Sequence, residues 1–228
     1  VFRRLDELTS PEAKELAAAG AVLAVPLGST EQHGAHLPLS TDTDVAVALC
    51  ARLAAARPDV VVAPAVPYGS SGEHAGFAGT LSIGQAAVEL LVLELGRSAT
   101  ETFAHVLFVS AHGGNAEPVG RAVARLRAES RDVALFAPAW QGDPHAGHEE
   151  TAMLLALRPS VVRPERGVPG DRRPLRELMP LLRAGGVRAV TPTGVLGDPT
   201  GATAAAGREL LDRLAADLVT MVRTWRPA

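Results

Sequence analysis

Short Val- and Leu-rich runs separated by helix-length amphipathic segments constrain this chain more than any other feature. Residues 21–27 (AVLAVPL), 60–63 (VVVA), 106–110 (VLFVS) and 133–137 (VALFA) have the length and β-branched content of buried strands. Between them, residues 44–56, 85–104 and 116–129 place apolar side chains three and four apart, with charges on the opposite side, which predicts helices. Strands that alternate with helices of this length require crossover connections. An α/β fold follows, with a mainly parallel sheet covered on both faces.

After residue 140 the pattern loosens. A short helix is expected at about 149–157, Pro and Gly concentrate in 158–174 and 185–201 and read as long loops over the sheet, and a closing helix at about 202–224 carries Leu210, Leu211, Leu214, Leu218 and Met221 along one stripe. With 228 residues and no internal repeat or low-complexity linker, residues 1–228 are expected to form one domain.

A net charge of −3 gives no broad attraction to phosphate backbones or anionic lipid, so neither nucleic acid nor membrane is an expected partner. No apolar run approaches the roughly 20 residues that span a bilayer, and Val1-Phe2-Arg3-Arg4-Leu5 lacks the apolar core of a secretion signal. The lone cysteine, Cys50, lies in an Ala/Val/Leu stretch and reads as apolar filler. A cytoplasmic location is expected.

In an open α/β sheet, ligands bind beyond the carboxyl ends of the strands, and here polar clusters follow the strands. The first strand leads into Gly28-Ser29-Thr30-Glu31-Gln32-His33-Gly34, with Asp42 a short loop away. Glu31 and His33 alternate, so both side chains can face one side, and an imidazole with two carboxylates suits Zn, Mn or Fe. Taken alone, Asp42 in Thr41-Asp42-Thr43-Asp44 reads first as a helix N-cap, and His33 could simply bond a neighbouring carbonyl; the three together read as a metal-ligand group. The 106–110 strand leads into Ala111-His112-Gly113-Gly114-Asn115, where the glycines leave room beside an imidazole and backbone N–H groups. A third cluster, Asp143-Pro144-His145-Ala146-Gly147-His148-Glu149-Glu150-Thr151, packs histidines and acids around small residues; its alternative reading is a polar helix entry. A fourth, Gly72-Glu73-His74-Ala75-Gly76-Phe77-Ala78-Gly79-Thr80, has the composition of a pocket wall.

The runs PLGSTEQHGAHLPLSTDTD (26–44), GEHAGFAGTLSIG (72–84), SAHGGN (110–115) and HAGHEET (145–151) resemble the creatininase family, in the family's order. That resemblance implies a three-layer α/β/α sandwich, two divalent metal ions per subunit (Zn with Fe or Mn), a homo-oligomer such as a hexamer, and hydrolysis of amides or cyclic amides. It implies Glu31, His33, Asp42 and His112 as metal ligands, with Asp42 bridging, and His145 as the proton carrier near the leaving group, held by Glu150 or a neighbouring acid. Creatininase carries a glutamate where this chain has Gly114, and Glu150 is the expected replacement ligand. His74, Gly113, Gly114, Asn115, Trp140 and His148 are expected to contact substrate.

Together with the run at 174–203 (PLRELMPLLRAGGVRAVTPTGVLGDPTGAT), the resemblance is to a branch of the family associated with a redox cofactor of ribosomal origin. It implies a peptidase that removes a Val-Tyr-derived C-terminal dipeptide from a precursor peptide already decarboxylated and cyclised by a radical enzyme. A deformylase or cyclic-amide hydrolase on a small molecule, and a non-catalytic binding protein that keeps the fold, are the alternatives.

Overall fold

The computed structural model describes residues 2–226, so Val1, Pro227 and Ala228 of the single expected domain lie outside the described residues. Five strands form one sheet: β1 (Arg3–Arg4), β2 (Val22–Leu27), β3 (Val60–Val62), β4 (His105–Ser110) and β5 (Val133–Phe136). They lie in the order β1-β3-β2-β4-β5 and every pairing is parallel. Successive residues of β2 and β4 face opposite sides, as the two-residue period of a strand demands. Val22, Ala24, Leu107 and Val109 enter one core layer, and Leu23, Val25, Val106 and Phe108 enter the other.

Each layer is closed by helices. The first receives α2 (Thr41–Ala56), α5 (His148–Leu157) and α7 (Ala204–Trp225), through Val45, Leu49 and Leu53, Met153 and Leu154, and Leu210, Leu211, Leu214 and Leu218. The second receives α1 (Ser10–Ala18), α3 (Gly84–Ala99) and α4 (Ala116–Ala128), through Ala17, Val88, Val92, Val119, Val123 and Leu126. Full burial of each such side chain contributes about 1.5–3 kcal/mol. The architecture is the expected three-layer α/β/α sandwich. Cys50 is wholly buried on α2, where burial pushes its thiol pKa upward, as befits a filler.

Pro26 lies in a central strand, where proline usually costs a ladder hydrogen bond. Its place is tolerated because β3 pairs with β2 only as far as Ala24, while the Pro26 carbonyl still accepts from Val66 N–H. On the other side, β2 runs in register with β4 to the pair Leu27↔Ser110. Both strands therefore end level, and the segments that follow leave the same rim.

Two expectations need correction, and two elements were missed. The helix foreseen over 85–104 stops at Ala99, where Thr100 turns its hydroxyl back onto the Gly96 carbonyl. The region 185–201 is not all loop: α6 (Leu175–Val190) runs into it, broken at Gly186, whose positive φ of 68° lets the helix bend where it meets the Glu73 backbone. And α1 and the two-residue β1 were not foreseen. No helix among the described residues is long and apolar enough to cross a membrane.

Candidate metal centre

The segment after β2 brings Glu31 and His33 to the rim, and the segment after β4 brings His112 beside them. Two helix starts complete the group. Asp42 lies in the first turn of α2 and Glu150 in the first turn of α5, where the positive end of each helix favours a carboxylate. Asp42 is no cap: Ser40 holds that position, and the Asp42 carboxylate turns inward to accept from Ser29 Oγ at 2.6 Å. Glu150 Oε2 accepts from Ala146 N–H at 2.6 Å, a bond made with Ala146 in the left-handed region at φ 53°. Glu31, His33, Asp42, His112, His145 and Glu150 are all buried.

Asp42 is the shared member. Its Oδ1 lies 3.2 Å from His33 Nε2, and its Oδ2 lies 3.2 Å from His112 Nδ1. Glu31 Oε1 lies 3.4 Å from His112 Nδ1 and from His74 Nε2, 3.8 Å from His145 Nδ1 and 4.0 Å from His33 Nε2. Glu150 Oε2 lies 3.8 Å from His33 Nε2. Three triads, Glu31/Asp42/His112, His33/Asp42/Glu150 and Glu31/His33/His145, each keep their candidate ligand atoms within 4.8 Å of one another.

The outer nitrogen of each central histidine is committed to a backbone carbonyl. His33 Nδ1 donates to Glu31 O at 3.1 Å, His112 Nε2 to Ser70 O at 2.9 Å and His145 Nε2 to Gln32 O at 2.9 Å. The carbonyl bond expected of His33 is present, and the other ring nitrogen faces the acids. A carbonyl on the outer nitrogen leaves a lone pair on the inner one, which is how proteins prepare imidazole for a metal. It also turns lone pairs toward carboxylate oxygens, so acceptor faces acceptor unless a cation or a proton lies between. Glu31 Oε2 is buried without any hydrogen-bond partner. The donor set, nitrogen and carboxylate oxygen without thiolate, therefore fits a divalent cation.

The electrostatics follow from the crowding of acids and imidazoles in a buried space. Burial opposes protonation of His33, yet Asp42, Glu150 and Glu31 carry its pKa up to about 10. His112 is likewise driven to about 10, burial again being outweighed by Asp42 and Glu31. Burial and the neighbouring Asp42 charge raise Glu31 to about 7. Glu150 also rises to about 7, chiefly through burial. Asp42 falls well below the usual carboxylate range because His33 and His112 outweigh its burial. His145 and His74 shift the other way: burial and the positive His33 hold His145 well below the usual imidazole range and take His74 to about 3. His145 is thus a neutral imidazole beside a charged cluster.

Other expected residues fall elsewhere. His145 Nε2 is held by the Gln32 carbonyl and its Nδ1 lies 3.8 Å from the neighbouring acid Glu31, while Glu150 Oε2 accepts from Ala146 N–H. Asn115 serves as a structural clamp, its amide accepting from Ser70 N–H and donating to Gly28 O, both at 3.0 Å. Trp140 packs half-buried against the core and makes no hydrogen bond to the cluster, and His148 opens α5 outside the converging group. Gly113 is exposed beside His112; a side chain at Gly114 would collide with the Ser70 carbonyl, the Glu73 carboxylate and the His112 ring. His74 does join, its ring tilted 42° against that of His145 with centroids 4.3 Å apart. Ser29, Gln32 and His36 were missed; the histidine spacing of His33-Gly34-Ala35-His36 was a signal for the last, whose Nε2 lies 2.9 Å from Thr151 Oγ1.

Comparison with known proteins adds relatives to this geometry. The creatininase family model, described as creatinine amidohydrolase, matches residues 6–222. The mycofactocin precursor peptide peptidase of Mycobacterium tuberculosis (strain ATCC 25618 / H37Rv) is 49% identical over 232 residues, covering 97% of this chain and 92% of that protein. Its counterpart in Mycobacterium ulcerans (strain Agy99) is 47% identical over 98% of this chain and 93% of its own length. A crystal structure of creatinine amidohydrolase (creatininase) is similar with a TM-score of 0.82 at 25% identity, covering 100% of this chain and 99% of that one.

Proposed function

The chain belongs to the creatininase family, and from that premise we propose that it is a metal-dependent peptidase that releases the Val-Tyr-derived C-terminal dipeptide from the modified mycofactocin precursor peptide. Near-full-length identity to peptidases of that name favours a peptide over a small cyclic amide. One observation carries the chemistry: Asp42 faces both His33 and His112, and each of those rings gives its outer N–H to a backbone carbonyl. A non-catalytic binding protein would have no need of so costly an arrangement of buried acids.

In this reading Glu31, Asp42 and His112 would hold one cation and His33, Asp42 and Glu150 a second, with Glu150 supplying the acid that the family resemblance leads one to expect at Gly114. Imidazole with carboxylate suits Zn together with Fe or Mn. A divalent cation bound there supplies a Lewis acid for the scissile carbonyl and lowers the pKa of water toward neutrality. His145 then moves the proton. Its Nε2–H is held by the Gln32 carbonyl, so the neutral Nδ1 takes up a proton from water and returns it to the departing amide nitrogen. His74, packed against His145, turns its Nε2 toward Glu31 Oε1 at 3.4 Å. Cytoplasmic action and assembly as a homo-oligomer belong to the same reading. Exposed Leu39, Tyr68, Leu81 and Ile83, on the loops beside the centre, offer apolar surface for a second copy to cover.

The test is mass spectrometry of the modified precursor peptide after incubation with the protein. Release of the C-terminal fragment supports the peptidase. An intact precursor, alongside hydrolysis of a formamide or small cyclic amide, transfers the assignment to the other reaction.

A further inference from the structure

Gln32 is a buried amide wedged between the metal centre and the segment 191–198, and its hydrogen bonds admit one solution. Gly34 N–H, which can only donate, points at Gln32 Oε1 at 2.9 Å, while Gly194 O, which can only accept, lies 3.0 Å from Gln32 Nε2. These two partners fix which end of the amide is oxygen. Nε2 has a second hydrogen, and His74 Nδ1 lies 2.9 Å away. Because Nε2 cannot accept, His74 Nδ1 must be the unprotonated nitrogen, so His74 carries its proton on Nε2, facing Glu31 Oε1 at 3.4 Å.

The same count settles His145. Its Nε2 lies 3.0 Å from Gln32 Nε2 and 2.9 Å from Gln32 O. Gln32 O can only accept, so His145 Nε2 donates to it, which leaves the second amide hydrogen to His74, and His145 Nδ1 remains as the lone pair directed at the cluster.

We propose that Gln32 is a positioning residue: its side-chain amide and its carbonyl set the tautomers of His74 and His145 and tie both rings to the seating of residues 191–198. Those residues are held from the other side as well. His145 N–H donates to Leu196 O at 3.3 Å and Leu196 N–H returns a bond to His145 O at 2.9 Å. Gly194 must be glycine, because its φ is 79° and a Cβ there would run into the Gln32 amide. Hydrogen bonds therefore run from Gly194 O through Gln32 Nε2 to His74 Nδ1, with His74 Nε2 facing Glu31 Oε1 at 3.4 Å, and displacing the segment frees the Gln32 hydrogen that Gly194 takes and loosens the constraint on His74. The inference rests on the peptidase reading for its catalytic consequence and on hydrogen-bond counting alone for the tautomers.

The experiment is long-range 1H–15N correlation on the full-length zinc-loaded protein with 15N-labelled histidine. Both rings are expected to carry hydrogen on Nε2 and none on Nδ1. In Gln32→Glu the introduced carboxylate has no hydrogen to give, so His74 is expected to move its proton to Nδ1. With a positioning role of the usual size, kcat falls about 10- to 100-fold while KM changes by less than about twofold, with zinc content and circular dichroism unchanged. A native ring protonated on Nδ1 alone overturns the proposal. So does a Gln32→Glu protein with unaltered tautomers and kcat, and so does loss of kcat that merely tracks loss of zinc. Should Gln32→Glu fail to fold, the native tautomers decide the matter by themselves. The tautomer readout needs no turnover, so an uncleaved precursor would refute the peptidase and leave this proposal standing.

Discussion

His112 Nδ1 and Asp42 Oδ2 face each other across 3.2 Å. The His112 Nε2–H is taken by the Ser70 carbonyl, so the inner nitrogen meets the acid either with an extra proton or with a cation between them. The cation-free protein takes the first course: with pKa values near 10, His33 and His112 are charged at neutral pH, and Glu31 and Glu150, near 7, are partly protonated.

Metal uptake must expel those protons, because a ligating imidazole is neutral and a ligating carboxylate ionised. Binding titrated calorimetrically at pH 7, in buffers of different ionisation enthalpy, is expected to show more than one proton released per protein. The sign for affinity follows: raising the pH toward 10 removes the competing protons and tightens binding, and lowering it through 7 weakens binding. Proton-neutral uptake would show that these groups do not hold the metal.

Replacing His145 by alanine separates a proton carrier from a ligand. If Nδ1 serves only to move a proton, metal content stays at the native level while turnover falls by about 10²- to 10⁴-fold. Metal lost from this variant would make the Glu31/His33/His145 triad a true binding set.

The family resemblance places an acid of creatininase at Gly114, yet introducing one is expected to harm this protein. A side chain there meets the Ser70 carbonyl that orients His112, the Glu73 carboxylate and the His112 ring itself. Gly114→Glu should lower stability by about 1–3 kcal/mol, as overpacking does, and weaken metal binding; thermal melts and metal titration measure both. A variant with native stability and tighter metal binding would show that Glu150 is not the replacement.

How much of this was legible in the chain depended on the range of the forces at work. The strands β2 and β4 were readable within a residue or so, because both faces are buried and the apolar runs are continuous. Their level ends, the Leu27↔Ser110 pair, made the rim a sound place to expect Glu31, His33 and His112. α6 was hidden by Pro180 and by Gly185-Gly186, which mark a loop by composition while the structure bends a helix around them. α1 had a local signal that went unused, the capping box of Thr9 with Glu12. Gln32 was illegible for a different reason. Its partners Gly194, His74 and His145 lie far along the chain, and no local pattern encodes a hydrogen-bond count completed by tertiary contact.

Elemental analysis of the purified native protein beside Asp42→Asn tests the metal centre most directly. Stoichiometric divalent metal in the native protein, lost together with peptide cleavage when the shared carboxylate becomes an amide, is the expected result. A native protein that cleaves the precursor without divalent metal, or an Asp42→Asn protein that keeps its full complement, would contradict the assignment of Asp42 between His33 and His112 as the heart of the site.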